Sequence, residues 1–161
     1  MTQQSCVFCR IAAGDSPASV IWQYDDAMPF MNLRAVNQGE CMVIPKPHID
    51  HFTSVPDRLA AKTLLVAQRI GHRILVLYRL QRNGYVVHGY GVPHAHLNVV
   101  PQNDPNDSTS RKFLRVVDGE IEFTDELLPL VPREELDRMA AELAIEGLPG
   151  LFLSDCPVER M

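Results

Sequence analysis

Apolar and polar positions along the chain separate one long helix from a set of short strands. Between residues 58 and 82, apolar side chains recur from Leu59 to Leu80 at the spacing of one helix face, and no proline interrupts them. Asp57 is a suitable capping residue at the start of this segment, and Asn83-Gly84 is a typical helix end. The pattern therefore predicts a helix over residues 58–82.

Short apolar runs bounded by turn residues predict the strands. They cover residues 20–24, 28–33, 41–44, 85–88 and 94–100. A hairpin is predicted over residues 112–124 with its turn at Asp118-Gly119, and a second helix over residues 132–144. Residues 6–14 form a short helical or looped opening that Gly14 closes. Strands grouped around one long helix indicate an α+β fold.

Composition places the chain among ordinary globular proteins. It has 161 residues, of which 46% are hydrophobic and 22% charged, which suits one domain with a buried core. No apolar run is long enough to span a bilayer. Residues 1–6 are polar and lack the basic-then-apolar order of a secretory signal, so we expect a cytoplasmic protein with no membrane partner.

Charge and cysteine content narrow the classes of partner. The formal net charge of −5 argues against broad binding of nucleic acid, which needs a positive surface. One pocket can still be locally positive on an acidic protein, so small anions remain candidate ligands. A reducing cytoplasm disfavours disulfides between the four cysteines. The close pair Cys6 and Cys9 therefore indicates metal ligands or a redox pair.

The strand predicted at residues 94–100 carries an unusual row of polar side chains. Residues two apart share one face of a strand, so His94, His96 and Asn98 are predicted to lie together while Leu97 and Val99 point the opposite way. Three polar groups are costly on a core face, which favours a wet pocket or a metal site. The alternative is a solvated face that happens to carry histidines. Histidine suits phosphoryl chemistry near neutral pH, because a neutral imidazole can attack and later leave.

This strand resembles the motif of the histidine triad (HIT) family of nucleotide hydrolases and transferases, His-φ-His-φ-His-φ-φ with φ apolar. The chain has His94-Ala-His96-Leu-Asn98-Val-Val at this point. Three upstream segments are also similar to the family in order and spacing. They are Cys6-Val-Phe-Cys9-Arg-Ile, Phe30-Met-Asn32-Leu-Arg34 and Met42-Val-Ile-Pro-Lys-Pro-His48. The resemblance covers residues 6–101.

The resemblance implies a fold and a domain organisation. We expect a HIT-like α+β fold, with an antiparallel sheet, one long helix and a C-terminal helix. We expect a single HIT-like domain over residues 1–161, in which residues 1–101 form the motif-bearing core and residues 102–161 a C-terminal extension. The resemblance also implies a homodimer.

The resemblance further implies a reaction on a nucleotide or nucleoside phosphate conjugate. His96 would attack the α-phosphorus and form a covalent nucleotidyl-histidine, which water or another acceptor resolves. Asn32 falls where family members bind the ribose hydroxyls, although such a residue can equally cap a strand end. Leu33, His88 and Asn98 complete the predicted nucleotide contacts.

The chain departs from the family in three places. Asn98 stands at the third triad position, where its amide can donate a hydrogen bond but cannot carry a proton charge. A nucleotide-binding or sensor module with little turnover is therefore the alternative function. The usual Gln and Ser/Thr phosphate contacts are missing before the motif, where backbone N–H groups, His88 or Tyr90 can substitute. Taken without the family, His88 is better explained as a packed strand residue. Gly39-Glu40 replaces the usual Gly-His, a difference that puts little of the chemistry in doubt.

A zinc site is the second expectation. Cys6, Cys9, His48 and His94 are the ligand types of a tetrahedral structural site, and several bacterial family members resemble this arrangement. Such a closed site would tether the N-terminus to the active-site strand and would leave His94 a positional role. His51 is the alternative to His48 as a ligand, and a redox protein using Cys6 and Cys9 is the alternative to a metal site.

Overall fold

The computed structural model describes residues 5–89, 91–107, 114–124 and 126–146, without the side chain of Phe123. No described helix is long and apolar enough to cross a membrane. The helices and strands are, in chain order, α1 Val7–Ala13, β1 Ala27–Met31, β2 Cys41–Pro45, α2 Asp57–Tyr78, β3 Arg82–Val86, β4 Leu97–Gln102, β5 Leu114–Val117, β6 Glu120–Phe123 and α3 Arg133–Leu143.

Four strands form one antiparallel sheet in the order β1-β2-β4-β3, which matches the expected α+β fold. β4 is an inner strand, and its Asn98 pairs with Met42 of β2 on one side and with Val86 of β3 on the other. Pairing on both sides fixes the register of β4, because a slip of one residue would turn its apolar side chains away from the core.

The two faces of the sheet bury different helices. On one face, Leu97 of β4 packs in a core with Ile70 of α2 and Leu136 of α3. On the opposite face, Phe8 of α1 packs in a second core with Ile44 of β2. The long helix and the C-terminal helix therefore share one side of the sheet, and the short N-terminal helix covers part of the other.

Three local predictions are confirmed. Residues 6–14 contain a helix, α1, which ends at Gly14 in the left-handed conformation with φ 83°. The hairpin β5–β6 turns at Asp118 and Gly119, whose φ values of 50° and 85° are both positive, as a type I′ hairpin turn requires. The second helix, α3, lies within the predicted residues 132–144.

The predicted end of the long helix is wrong. α2 stops at Tyr78, and Arg79 takes the left-handed conformation with φ 54°. Asn83 lies in β3, where its Nδ2 donates to the carbonyl of Gly71 at 2.8 Å. The chain thus turns back along α2, and its pairing with β4 takes the Asn83-Gly84 dipeptide into the sheet.

Two strand predictions also need correction. Residues 20–24 form only a single bridge, between Val20 and Phe30, and no strand. β4 begins at Leu97, because the N–H of Ala95 donates to the carbonyl of Ile49 at 2.6 Å, outside the sheet ladder. β4 also continues to Gln102, two residues beyond the predicted end of this strand.

Gly39 offers a test of how the loop between β1 and β2 packs on α2. Its φ is +90°, and a Cβ at this position would lie 2.6 Å from Cε2 of Tyr78. We expect Gly39→Ala to lower the free energy of unfolding by about 1–3 kcal/mol from backbone strain, plus the cost of moving the Tyr78 ring. Chemical denaturation measures the change.

Gly14→Ala is the matched control, because Gly14 has a similar φ of +83° and open space around the missing Cβ. It should show the strain alone. An equal loss of stability in both variants would contradict the contact with Tyr78.

Candidate functional site

Four side chains from three separate segments meet behind α1. Cys6 precedes α1, Cys9 lies within it, His48 follows β2 and His94 precedes β4. Their ligand atoms all lie within 4.8 Å of one another. His94 Nδ1 is 3.5 Å from both sulfur atoms, and His48 Nδ1 is 3.2 Å from Cys9 Sγ. The structure therefore brings together the four residues predicted as metal ligands.

The spacing of these atoms fits a tetrahedral ion. With bonds of about 2.3 Å to sulfur and about 2.05 Å to nitrogen, a tetrahedron places sulfur and nitrogen about 3.6 Å apart. His94 Nε2 lies 2.8 Å from the Pro45 carbonyl oxygen, which can only accept, so this nitrogen carries the proton. The lone pair of Nδ1 then faces the sulfur atoms. Two thiols and two imidazoles can hold a soft or borderline metal ion here.

The surroundings favour the neutral forms of Cys9 and His94 in the free cluster. Burial, followed by the hydrogen bond and charge of Cys6, raises the pKa of the Cys9 thiol to about 11. Burial also lowers the pKa of His94. This effect is larger than that of the hydrogen bond to Pro45, which raises the pKa. His51, the alternative ligand, is exposed beside Asp50 at 3.4 Å and is not part of the cluster.

A cleft of about 960 Å³ opens on the face of the sheet that carries α1. Its lining combines apolar side chains of α1 and β1 with polar side chains at and before β4. The lining includes all five residues predicted for catalysis or nucleotide contact, which are Asn32, Leu33, His88, His96 and Asn98. The predicted alternation holds from His96 onward, since Leu97 and Val99 point into the core on the other face. His94 differs, because its ring turns into the Cys/His cluster.

His96 is held in one tautomer. Its Nδ1 lies 2.7 Å from the carbonyl oxygen of His94, which can only accept a hydrogen bond, so Nδ1 carries the proton. The lone pair of the ring is therefore on Nε2. The His96 side chain is only 7% exposed, and Phe8 of α1 packs edge-on against it with ring centroids 5.5 Å apart. His96 thus lies in the cleft in a fixed orientation.

His88 stacks beside His96, with ring centroids 6.4 Å apart and planes inclined by 29°. Burial, and to a smaller extent the His96 ring, lowers the pKa of His88. His88 follows β3 and is not part of a strand. Tyr90, the other predicted substitute for the missing phosphate contacts, lies outside the described residues.

Asn98 points into the same cleft from β4. Its Nδ2 donates to the Val86 carbonyl at 3.4 Å, a long hydrogen bond between neighbouring strands. The amide has two N–H groups, so one remains directed away from Val86. Asn98 can therefore offer one neutral donor to a ligand beside His96.

Asn32 and Leu33 lie at the end of the cleft nearest the loop between β1 and β2. Leu33 is 50% exposed, which leaves an apolar surface for a flat ring. Asn32 Nδ2 donates to Glu40 Oε1 at 2.7 Å. This contact between Asn32 and Glu40 was not predicted, because nothing in the pattern indicates that residues eight apart meet across a loop.

Two arginines of the cleft were also missed. Arg133, the first residue of α3, lines the cleft and donates to Ser19 Oγ at 3.0 Å. Arg34 lines it as well and donates to the carbonyl of Leu128. Arg133 belongs to the C-terminal extension, which carries no motif. A lone arginine at a helix start gives no signal that it reaches a distant cleft.

Comparison with known proteins gives a consistent result. The family model described as "HIT domain" matches residues 13–104. The chain is 30% identical over 105 residues to an adenosine 5′-monophosphoramidase of Schizosaccharomyces pombe, which spans 64% of this chain and 77% of that protein. It is 28% identical over 127 residues to an uncharacterized HIT-like protein of Methanocaldococcus jannaschii, which spans 74% of this chain and 92% of that protein.

A solved structure is similar as well. The zinc-bound histidine triad family protein of Mycobacterium smegmatis has a TM-score of 0.65 and 28% identity, over 88% of this chain and 95% of that one. Cys6 and Cys9 precede the residues matched by the family model, so the Cys/His cluster extends beyond the region that this match covers.

Proposed function

The chain belongs to the HIT domain family, and on that premise we propose that it is a hydrolase or nucleotidyl transferase acting at the α-phosphate of nucleoside phosphate conjugates. The observation that carries the proposal is the orientation of His96 in the cleft. Its Nδ1–H is held by the His94 carbonyl, which leaves Nε2 as the attacking atom.

The chemical step uses the two ring nitrogens of His96 for different tasks. Nε2 forms a bond to the α-phosphorus while the bond from phosphorus to the leaving group breaks, and the leaving group takes a proton from water. The ring then carries a positive charge, which the Nδ1–H bond to the His94 carbonyl stabilises. A water molecule next adds to phosphorus and the bond to Nε2 breaks. The electron pair of that bond returns to Nε2, which restores the neutral ring. The added water loses its extra proton to solvent, and a nucleoside monophosphate is released.

The other predicted contacts fit the remaining parts of such a substrate. Asn98 lines the cleft and has one N–H group to donate to a phosphate oxygen. Asn32 can accept from ribose hydroxyls, and the exposed Leu33 provides an apolar surface for a base. The S. pombe relative is an adenosine 5′-monophosphoramidase, which makes adenosine 5′-monophosphoramidate the first substrate to test.

Zinc is the ion we propose for the Cys/His cluster. The four side chains complete a tetrahedral set, so the ion would have no open position for substrate and its role would be structural. The zinc-bound M. smegmatis neighbour supports this choice. When bound, zinc would fix α1, and with it the Phe8 ring that packs against His96.

A homodimer is also part of the proposal. β3 is an edge strand of the sheet. Exposed apolar side chains lie on α2 and at β3, and they are Leu64, Val76, Leu77, Tyr85 and Val87. Exposed apolar side chains and an open sheet edge are common where two copies of a chain meet.

One observation favours the alternative function, a nucleotide-binding module with little turnover. Asn98 already donates one hydrogen bond to the Val86 carbonyl. Its remaining neutral N–H would stabilise a phosphate less than a charged histidine would. This alternative predicts that AMP binds while the phosphoramidate is not consumed.

The first prediction from this proposal concerns the nucleophile. Acid-quenched mass spectrometry of the wild-type protein with adenosine 5′-monophosphoramidate should find an adenylyl group on His96. His96→Ala should lower kcat/KM by at least about 10³-fold, because the covalent route is lost. His72 is an exposed histidine on α2, and His72→Ala is the matched control. This variant should react as the wild type does. Full activity in His96→Ala would refute the assignment.

A second prediction concerns Asn98. We expect Asn98→Ala to lower kcat by about 100-fold, the usual cost of losing one donor to developing negative charge. The fold should persist, since the lost hydrogen bond to Val86 is long. Asn106→Ala, in an exposed loop, is the control. An unchanged kcat in Asn98→Ala would mean that Asn98 makes no contact with the phosphate in the transition state.

The third prediction concerns the metal. The purified protein should contain about one zinc per chain, and Cys9→Ser should remove it. Loss of the ion should lower the free energy of unfolding by about 3–4 kcal/mol, as for a site filled at 100–1,000 times its dissociation constant. Elemental analysis and thermal melting measure both effects. Cys41 is a buried thiol outside the cluster, so Cys41→Ala should keep the zinc. Stoichiometric zinc in Cys9→Ser would rule out this site.

A further inference from the structure

Glu40 is a buried carboxylate at the sugar end of the cleft. Its side chain is 6% exposed, and its two oxygens meet two different N–H donors. Oε1 accepts from Asn32 Nδ2 at 2.7 Å, and Oε2 accepts from the backbone N–H of Val36 at 2.6 Å. The backbone joins the same two residues, since the Asn32 N–H donates to the Glu40 carbonyl at 3.1 Å.

These contacts determine which end of the Asn32 amide meets a ligand. A carboxylate accepts hydrogen bonds at both oxygens, so the group of Asn32 that faces Glu40 must be the NH₂. The carbonyl oxygen Oδ1 is left as the polar atom that Asn32 presents to the cleft. An oxygen in this place can only accept, and it therefore pairs with a ligand group that donates.

We propose that Glu40 is a positioning residue that holds Asn32 with Oδ1 toward the sugar and so selects nucleotides with hydrogen-donating ribose hydroxyls. The inference rests on the proposed function, and it adds the residue that sets the polarity of the sugar site. Glu40 stands where the resemblance to the family led us to expect a histidine, so this pairing is a property of the present chain.

The geometry predicts how a single substitution reverses that polarity. In Glu40→Gln, the backbone N–H of Val36 cannot turn, so it must still donate to an oxygen. It therefore donates to the carbonyl oxygen of the new amide. The NH₂ of that amide then faces Asn32. The Asn32 amide flips to accept from it, because side-chain amides have two nearly equivalent orientations. The hydrogen bonds to Val36 and Asn32 both remain satisfied, and Asn32 now presents NH₂ to the sugar.

A nucleotide with fluorine in place of the 2′-hydroxyl separates the two orientations. Fluorine is close in size to a hydroxyl but cannot donate a hydrogen bond. Calorimetry on the intact, zinc-loaded protein would compare the Kd of AMP with that of its 2′-fluoro analogue. The wild type should prefer AMP by about tenfold, the worth of one good hydrogen bond. In Glu40→Gln this preference should fall to within about twofold.

The reciprocal substitution is the decisive control. Asn32→Asp alone places two carboxylates against each other and should weaken binding of both ligands by about tenfold or more. In Asn32→Asp with Glu40→Gln, the introduced glutamine amide donates to the introduced aspartate, an acceptor again faces the sugar, and the preference for AMP should return. A residue that merely stabilises the loop would lower affinity for both ligands alike, and the second substitution would not restore selectivity.

The outcomes separate this inference from the function on which it rests. If the wild-type protein binds no AMP, both are overturned. If the wild type binds AMP but Glu40→Gln keeps the full preference over the fluoro analogue, only the role of Glu40 is overturned. If Glu40→Gln alone does not fold, the double variant decides, since restored selectivity for AMP supports the pairing and its loss overturns it.

Discussion

The cleft depends on one cluster of contacts, in which Cys6 and Cys9 meet His48 and His94. α1 has seven residues and no side-chain cap at its start, so it is too short to be stable by itself. Its position comes from Cys6 and Cys9, which meet His48 and His94, and from the small core that includes Phe8. Without this attachment, α1 and the apolar wall that it gives the cleft would have little to hold them.

His94 links that attachment to the chemistry. Its ring nitrogens are both engaged, Nδ1 with the thiols and Nε2 with the Pro45 carbonyl, and its own carbonyl receives the Nδ1–H of His96. Phe8 adds a second link, because its ring packs against both His94 and His96. The orientation of His96 is thus determined by the same residues that hold α1.

Patterns within a few residues predicted much of this structure, and long-range contacts account for what they missed. The row of polar residues singled out His94, His96 and Asn98, although His94 and His96 precede β4 and His94 turns into the cluster. Asn83-Gly84 has the composition of a helix end, but the backbone of Gly71 and the pairing with β4 take it into the sheet. Tertiary contacts of this kind override local preference, and no periodicity reports them.

The contacts of Glu40 and Arg133 lay beyond prediction for the same reason. A buried glutamate after a glycine has no characteristic pattern, and its meaning appears only when Asn32 and Val36 are found to donate to it. Arg133 reaches the cleft at the start of α3, where it donates to Ser19, a residue 114 positions away in the sequence.

The carboxylates at the cleft are buried and hydrogen-bonded, which explains how an acidic chain can hold an anionic ligand. Glu40 and Asp107 both line it, yet each is buried and turned toward N–H donors. One oxygen of Asp107 accepts from Asn37 Nδ2 and from the backbone N–H groups of residues 103 and 104, at 2.7–2.9 Å. Donors at this distance offset much of the negative charge that a ligand would meet. Arg34 and Arg133 also line the cleft, so its potential can be positive while the chain as a whole carries −5.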